Sequence, residues 1–191
     1  MDEIAPGVWH WTALRETIGS RVSSYYLADE RVAIDPLLPL GQPQWFRPEH
    51  VLLTCRHHDR DAWKLGCEVW VMAQGEYELE GRGEARTYEW GDELPGGVVA
   101  QEVDALSPDE TALFVPAHRA LAVGDGVIRW EQDGPLGFVP DRFMDDPDAT
   151  KAGLRAAYER LLELDFDLLL LAHGDPVVGD AKEQLRAFLE P

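Results

Sequence analysis

The stretch that decides the fold is His50-Val-Leu-Leu-Thr-Cys-Arg-His-His-Asp-Arg-Asp61, an apolar run that leads directly into a polar, histidine-rich segment. The apolar run at 50–54 predicts a short buried strand, and the pattern at 58–65 predicts a helical piece after it. Side chains that ligate metals are commonly placed at strand ends of α/β sheets. We therefore expect a functional site at 55–61.

Two other segments have the same form. Val123-Gly-Asp-Gly126 ends the predicted strand 120–123, and Leu171-Ala-His-Gly-Asp-Pro176 ends the predicted strand 167–172. A metal site needs imidazoles, thiolates and carboxylates that converge from several loops. The three segments together can supply such a set.

The order of elements indicates the fold class. Strand patterns dominate the first two thirds of the chain, including a hairpin formed by 21–27 and 31–35. Helical patterns follow at 152–162 and after Asp180, which with Glu183 resembles a capping box. Residues 36–48 and 131–147 are predicted loops, and long loops in compact domains are often functional. We predict one α/β (α+β) domain over 1–191, with sheets covered by helices.

Composition excludes several classes of protein. The 191 residues carry 17 Lys+Arg against 36 Asp+Glu, a formal net charge of −19. Phosphate contacts need clustered cations, so we expect no nucleic-acid partner and no anionic membrane surface. Two cysteines make no disulfide framework, and no secretion signal or apolar span is visible. We expect a cytoplasmic protein with a small-molecule partner, and a homo-oligomer stays an open alternative.

The chain resembles the metallo-β-lactamase fold superfamily. The resemblance is carried by Gly7-Val-Trp9, Ser23-Ser-Tyr-Tyr-Leu27, Ile34-Asp-Pro36 and the three site segments. It implies a four-layer αββα sandwich of two mixed β-sheets flanked by helices. It also implies metal ions at one edge between the two sheets.

The resemblance implies a ligand set for residues of this chain. The family's Thr-His-x-His-x-Asp-His motif, laid on Thr54, puts Cys55 and His57 at the two ligand histidines. Asp59 matches the motif's aspartate, which we predict to be catalytic, and Arg60 stands at its last histidine. The predicted metal ligands are His57, Asp125, His173 and Cys55.

Two departures from the family pattern reduce the number of metal ions that we expect at the site. Leu106 stands at a ligand position and cannot coordinate, and Arg60 is always cationic and repels a divalent ion. We therefore expect at most one zinc or iron ion. The alternative is a metal-free site in which Arg60 replaces the metal charge by pairing with Asp59 or Asp125.

Three functions stay open at this point. The first is a metal-dependent hydrolase of small esters, thioesters or lactones, with the 131–147 loop as one wall of its pocket. The second is a non-catalytic ligand-binding or interaction module. The third is a nucleophilic hydrolase that uses Cys55 with His57 or His173, which requires a depressed thiol pKa. The predicted substrate-pocket residues are Arg60, His58 and Phe138.

Overall fold

The computed structural model describes residues 1–39 and 41–190; Leu40, in the predicted loop 36–48, and Pro191 lie outside the described residues. A seven-stranded sheet follows chain order from β1 to β7. Its strands are β1 (Asp2–Ala5), β2 (Val8–Arg15), β3 (Ser20–Leu27), β4 (Val32–Ile34), β5 (His50–Leu52), β6 (Glu68–Met72) and β7 (Arg86–Tyr88). The pairs from β1 to β4 are antiparallel and the pairs from β4 to β7 are parallel, so the sheet is mixed.

A second sheet has six strands in the order β15-β14-β11-β10-β9-β8. Its strands are β8 (Glu93–Leu94), β9 (Val98–Glu102), β10 (Thr111–Val115), β11 (Ala120–Val123), β14 (Leu168–Leu171) and β15 (Val177–Val178). Only the β11–β14 pair is parallel among the described ladders of this sheet. A separate hairpin joins β12 (Val127–Arg129) to β13 (Leu136–Phe138).

The two sheets pack face to face over an apolar core. Inward side chains of both sheets meet there, and fully burying one such side chain is worth about 1.5–3 kcal/mol. They include Val8, Tyr25, Leu27 and Leu52 from the first sheet and Ala100, Leu113, Ala122 and Leu170 from the second. This core fixes the relative position of the strand ends at the sheet edge.

Different elements cover the two outer faces. Helices α1 (Pro147–Leu161) and α2 (Ala181–Leu189) bury Leu154, Tyr158 and Leu185 against the second sheet. The outer face of the first sheet is covered by loops and 3-10 helices, among them Ala62–Leu65 and Ala73–Leu79. None of the described helices is long and apolar enough to cross a membrane.

The predicted fold class is confirmed, with local differences. The two mixed sheets and the flanking helices are present, although the segment predicted as helical at 58–65 forms short 3-10 helices. The predicted loop 131–147 contains β13, because its backbone pairs with β12. The predicted capping box is wrong: the Asp180 side chain accepts a bond from the Gln184 amide instead of a backbone N–H.

Hydrogen bonds tie β3 of the first sheet to the end of β14 in the second. The Tyr25 hydroxyl donates to the Leu171 carbonyl at 2.8 Å, and the Ser23 backbone N–H donates to Ala172 at 2.9 Å. The Ser23 hydroxyl donates to the Gly174 carbonyl at 2.7 Å. These bonds hold the turn that carries His173 at the edge shared by the two sheets.

Candidate functional site

A single 3-10 turn after β5 brings Cys55 and His58 together. Residues three apart lie one above the other in this helix type, so His58 returns to the side of Cys55. Both are buried, whereas His57 between them is exposed. His58, rather than the His57 that the family motif predicts as a ligand, therefore lies beside Cys55, because the 3-10 turn brings residues three apart to the same side.

Three donor groups converge at the edge between the sheets. Ligand atoms of Cys55, His58 and Asp125 all lie within 4.8 Å of one another, the one such group of three within the described residues. The Nε2 atom of His58 lies 3.2 Å from Asp125 Oδ1, and Nε2 of His173 also lies 3.2 Å from that oxygen. Cys55 and Asp125 of the predicted set thus belong to one group, and His173 contacts the Asp125 carboxylate of that group.

Asp35 and Thr54 orient the His58 ring. His58 Nδ1 lies 2.8 Å from Asp35 Oδ2 and 2.8 Å from Thr54 Oγ1, and the Thr54 hydroxyl donates to the same carboxylate at 2.6 Å. The Nδ1 proton is therefore directed to Asp35, and Nε2 is left to face Asp125. Asp35 itself has φ +46°, a strained conformation for a residue other than glycine. Sequence reasoning used Ile34-Asp-Pro36 only as a fold signal and missed this role.

Electrostatics couple the members of this group. Burial would raise the pKa of Asp125, but the charge of His58 and hydrogen bonds from His173 and His58 hold it well below its ordinary value. Burial opposes the charge on His58, yet Cys55, Asp125 and Asp35 raise its pKa well above its ordinary value. Without a metal ion, the site therefore favours an imidazolium between two carboxylates.

Cys55 does not have the properties of an activated nucleophile. Burial raises the pKa of its thiol, against the opposing effect of His58. A reactive cysteine requires the opposite shift and access to solvent. The burial of Cys55 and the raised pKa of its thiol therefore disfavour the nucleophilic hydrolase and leave Cys55 as a candidate ligand, since a bound metal deprotonates a thiol directly.

Asp59 lies apart from the three converging groups. Its carboxylate is buried and forms ion pairs with Arg15 at 3.3 Å and Arg82 at 3.1 Å. Two cations thus neutralise the residue that the motif comparison predicts to be catalytic. The two arginines were not predicted as site residues, because each is far from Asp59 in the sequence.

Arg60 does not take the predicted position of a metal substitute. Its Nη1 atom donates to the carbonyls of Ser23 and Asp35, both at 2.6 Å, and only its backbone N–H reaches the Asp59 carboxylate. Its Nε and Nη2 atoms are buried with no hydrogen-bond partner in the part of the chain that the structure describes. The predicted ion pair of Arg60 with Asp59 or Asp125 is therefore not formed.

A cavity of about 940 Å³ opens over the three converging groups. Its floor includes Cys55, His58, Asp125 and His173, and residues of the 131–147 loop form part of one wall. Of the predicted pocket residues, His58 lines it but Arg60 and Phe138 do not. Phe138 instead packs against Phe188, with ring centroids 4.8 Å apart. The loop turns Phe138 toward α2 and presents other side chains to the cavity.

Two residues complete the inner wall of the cavity. Leu106 lines it and supplies no donor atom. Glu110 is buried there, and its Oε1 accepts the Gly126 backbone N–H at 2.6 Å. Burial raises the pKa of Glu110 to about 8, so this side chain is largely protonated at neutral pH. Sequence reasoning aligned this segment with the family but did not single out Glu110.

The donor set fits a single metal ion. In the neutral form of His58 with its Nδ1 proton directed to Asp35, the Nε2 lone pair would face Asp125, and His173 Nε2 faces the same oxygen. Two acceptors at 3.2 Å repel each other unless a proton or a metal cation lies between them. One sulfur, two imidazole nitrogens and one carboxylate oxygen are donors typical of tetrahedral zinc.

Comparison with solved structures identifies the fold. The DIM-1 metallo-β-lactamase superposes with a TM-score of 0.70 at 13% identity, covering 98% of this chain and 95% of that chain. TTHA1623 in a di-iron-bound form gives 0.65 at 20% identity, covering 91% and 96%. The flavodiiron protein from Giardia intestinalis gives 0.66 at 18% identity, covering 97% of this chain and 57% of that chain.

These likenesses show that the chain has the metallo-β-lactamase fold, as the sequence motifs predict. No known family profile matches the sequence, and no curated protein sequence matches it. Identities of 12–20% to the solved structures are consistent with a divergent member of the fold. The structural neighbours include metallo-β-lactamases, a protein in a di-iron-bound form and a flavodiiron protein, and this chain has a partial candidate metal site.

Proposed function

We propose that this protein is a single-metal hydrolase of small esters, thioesters or lactones. The observation that carries the proposal is the convergence of Cys55, His58 and Asp125 within 4.8 Å, with His173 3.2 Å from the same carboxylate. Cys55, His58, Asp125 and His173 would hold one zinc or iron ion. When bound, such an ion supplies Lewis-acid chemistry that activates water at neutral pH.

The protein's own residues prepare this site. Asp35 fixes the tautomer and ring orientation of His58, which raises its strength as a ligand. The bonds from β3 to the end of β14 hold the turn of His173. Arg15 and Arg82 neutralise Asp59, so this carboxylate adds little to the charge at the centre. The cavity above leaves room for a small substrate.

The test is metal stoichiometry of the full chain and of matched variants. After zinc supplementation and dialysis, elemental analysis is expected to find about one ion per chain. Asp125→Asn and His58→Ala should each lose the ion, whereas His57→Ala, which changes an exposed histidine next to the site, should retain it. Retention of zinc below about a tenth of an equivalent by the unmodified chain would overturn the proposal.

The second candidate is a non-catalytic ligand-binding module. It is supported by Leu106, which lines the cavity without a donor atom, and by the ability of protons on the histidines to satisfy Asp125. This candidate predicts ligand binding without metal and no ester hydrolysis above the background rate. Circular dichroism melts of chelated and zinc-supplemented protein separate the two, because a tightly bound ion raises the melting temperature.

A further inference from the structure

The cavity has the opposite balance of charge from the molecule as a whole. The chain as a whole has 36 acidic and 17 basic residues, an excess of acid. The cavity has more cations than carboxylates: its arginines are Arg15, Arg21, Arg56, Arg82, Arg129 and Arg142, and its acids are Asp59, Glu78, Glu110 and Asp125. A concave surface with an excess of one sign of charge attracts ligands of the opposite sign.

Half of these arginines are already neutralised by neighbours. Arg15 and Arg82 pair with Asp59, and Arg56 pairs with Glu78 at 2.9 Å. The other three cavity arginines form no ion pair with a carboxylate within residues 1–39 and 41–190; they are Arg21, Arg129 and Arg142. Two of the three, Arg21 and Arg142, are exposed and can therefore meet an anion from outside the protein.

The guanidinium groups of Arg142 and Arg21 are held in place with donors to spare. Arg142 stacks between two aromatic rings, 5.4 Å from the Trp130 centroid and 4.6 Å from the Phe143 centroid. Arg21 is braced on Thr12 through Nε and Nη2, and neither of these bonds uses Nη1. Arg129 is already engaged: its Nη1 donates to the Asp175 carbonyl at 3.2 Å and its Nη2 to Gln184 Oε1 at 3.1 Å. A fixed guanidinium loses little entropy when it binds an anion.

An apolar lip lies beside these cations. Ile18, Trp130 and Phe143 line the same cavity and are 53%, 67% and 59% exposed. Large hydrophobic side chains that stay exposed together at a cavity mouth mark a site for an apolar group. The cavity thus presents cationic and apolar surfaces side by side.

We propose that the cavity binds an amphipathic anion, whose carboxylate or phosphate is held by Arg142 and Arg21 and whose apolar part lies on Ile18, Trp130 and Phe143. The inference rests on the proposed function where it names the substrate class, an ester or thioester that carries such an anionic group. The binding itself requires the arginines and the apolar lip.

The experiment measures binding of 4-phenylbutyrate and 4-phenylbutyl phosphate by calorimetry, with 4-phenylbutanamide as a neutral probe of similar shape. At least one anion is expected to bind about 10-fold or more tightly than the amide, with affinity that falls as salt rises. The carboxylate and phosphate arms identify which anionic group the site prefers. Arg142→Gln and Arg21→Gln should each weaken anion binding by about 10-fold.

Arg186→Gln is the matched control. Arg186 is exposed on α2, lies outside the cavity and carries the same charge, so its removal should leave binding unchanged. Equal binding of acid and amide by the unmodified chain would overturn the inference, as would unweakened binding in the folded Arg142 and Arg21 variants.

The same titrations with and without chelator separate this inference from the proposed function. Anion binding that depends on the arginines in chelated protein, combined with no zinc uptake, supports the inference and refutes the hydrolase. Zinc uptake without preference for the anions refutes the inference and supports the metal site of the proposed hydrolase.

Discussion

Replacing Glu110 by glutamine is expected to stabilise the protein at alkaline pH and to change its stability little at acidic pH. Glu110 is 1% exposed, and its Oε2 atom has no hydrogen-bond partner in the described chain. Burial raises its pKa from 4.5 to about 8. The folded protein therefore keeps a proton that the unfolded chain releases over that range.

The sign and size follow from linkage between protonation and folding. Below pH 4.5 both states carry the proton, and Glu110 adds no pH-dependent term to the free energy of unfolding. As the pH rises from 4.5 to about 8 the unfolded state ionises first, and stability falls by about 1.4 kcal/mol per unit. A glutamine side chain does not ionise over this range, and its amide oxygen can still accept the Gly126 N–H. At pH 9, Glu110→Gln should be about 3–5 kcal/mol more stable than the unmodified chain.

The assay is urea unfolding at pH 5 and pH 9 with chelator present, so that metal binding does not contribute. Glu93→Gln removes the same charge from an exposed position on β8 and should show no such pH-dependent difference. A stability difference between Glu110→Gln and the unmodified chain that is the same at both pH values would refute the reasoning.

Three other changes test the packing and the support of the site. Gly126→Ala places a Cβ 2.7 Å from a Leu154 methyl group and should lower the free energy of unfolding in urea by about 1–3 kcal/mol. The control Gly137→Ala has no atom within 4 Å of its Cβ and should lower the free energy of unfolding by less than about 0.5 kcal/mol. Tyr25→Phe leaves a buried β14 carbonyl without its side-chain donor and should lower the free energy of unfolding by about 1–2 kcal/mol. Asp35→Asn should weaken zinc binding about 10- to 100-fold in competition with a chromophoric chelator; unchanged affinity would mean that it does not orient the ligand.

Much of the fold could be predicted from the sequence because the local patterns agree with the final structure. The strand Ala120–Val123 was predicted with the observed bounds. Short apolar runs bounded by polar and turn residues suffice for such elements. The strand-end positions of Asp125 and His173 were also readable, and the structure brings these two side chains within 3.2 Å.

The inner geometry of the site was not predictable in the same way. Whether His57 or His58 faces inward depends on a 3-10 turn, which the residue types do not specify. The partners of Asp59 depend on tertiary contacts, since Arg15 is 44 positions away in the chain. Arg60 was predicted as a metal substitute from its charge, yet its position against backbone carbonyls follows from the packing of β3 and β4.

The bonds between β3 and the end of β14 have a consequence for the order of folding. Tyr25 and Ser23 reach partners 146 and 151 positions further along the chain, and His58 reaches Asp125 across 67. Contacts between such distant segments form slowly, because the intervening chain must be ordered first. The full set of four donor groups, which includes His173, therefore comes together only when the last quarter of the chain has docked, so binding that needs His173 reports that folding is complete.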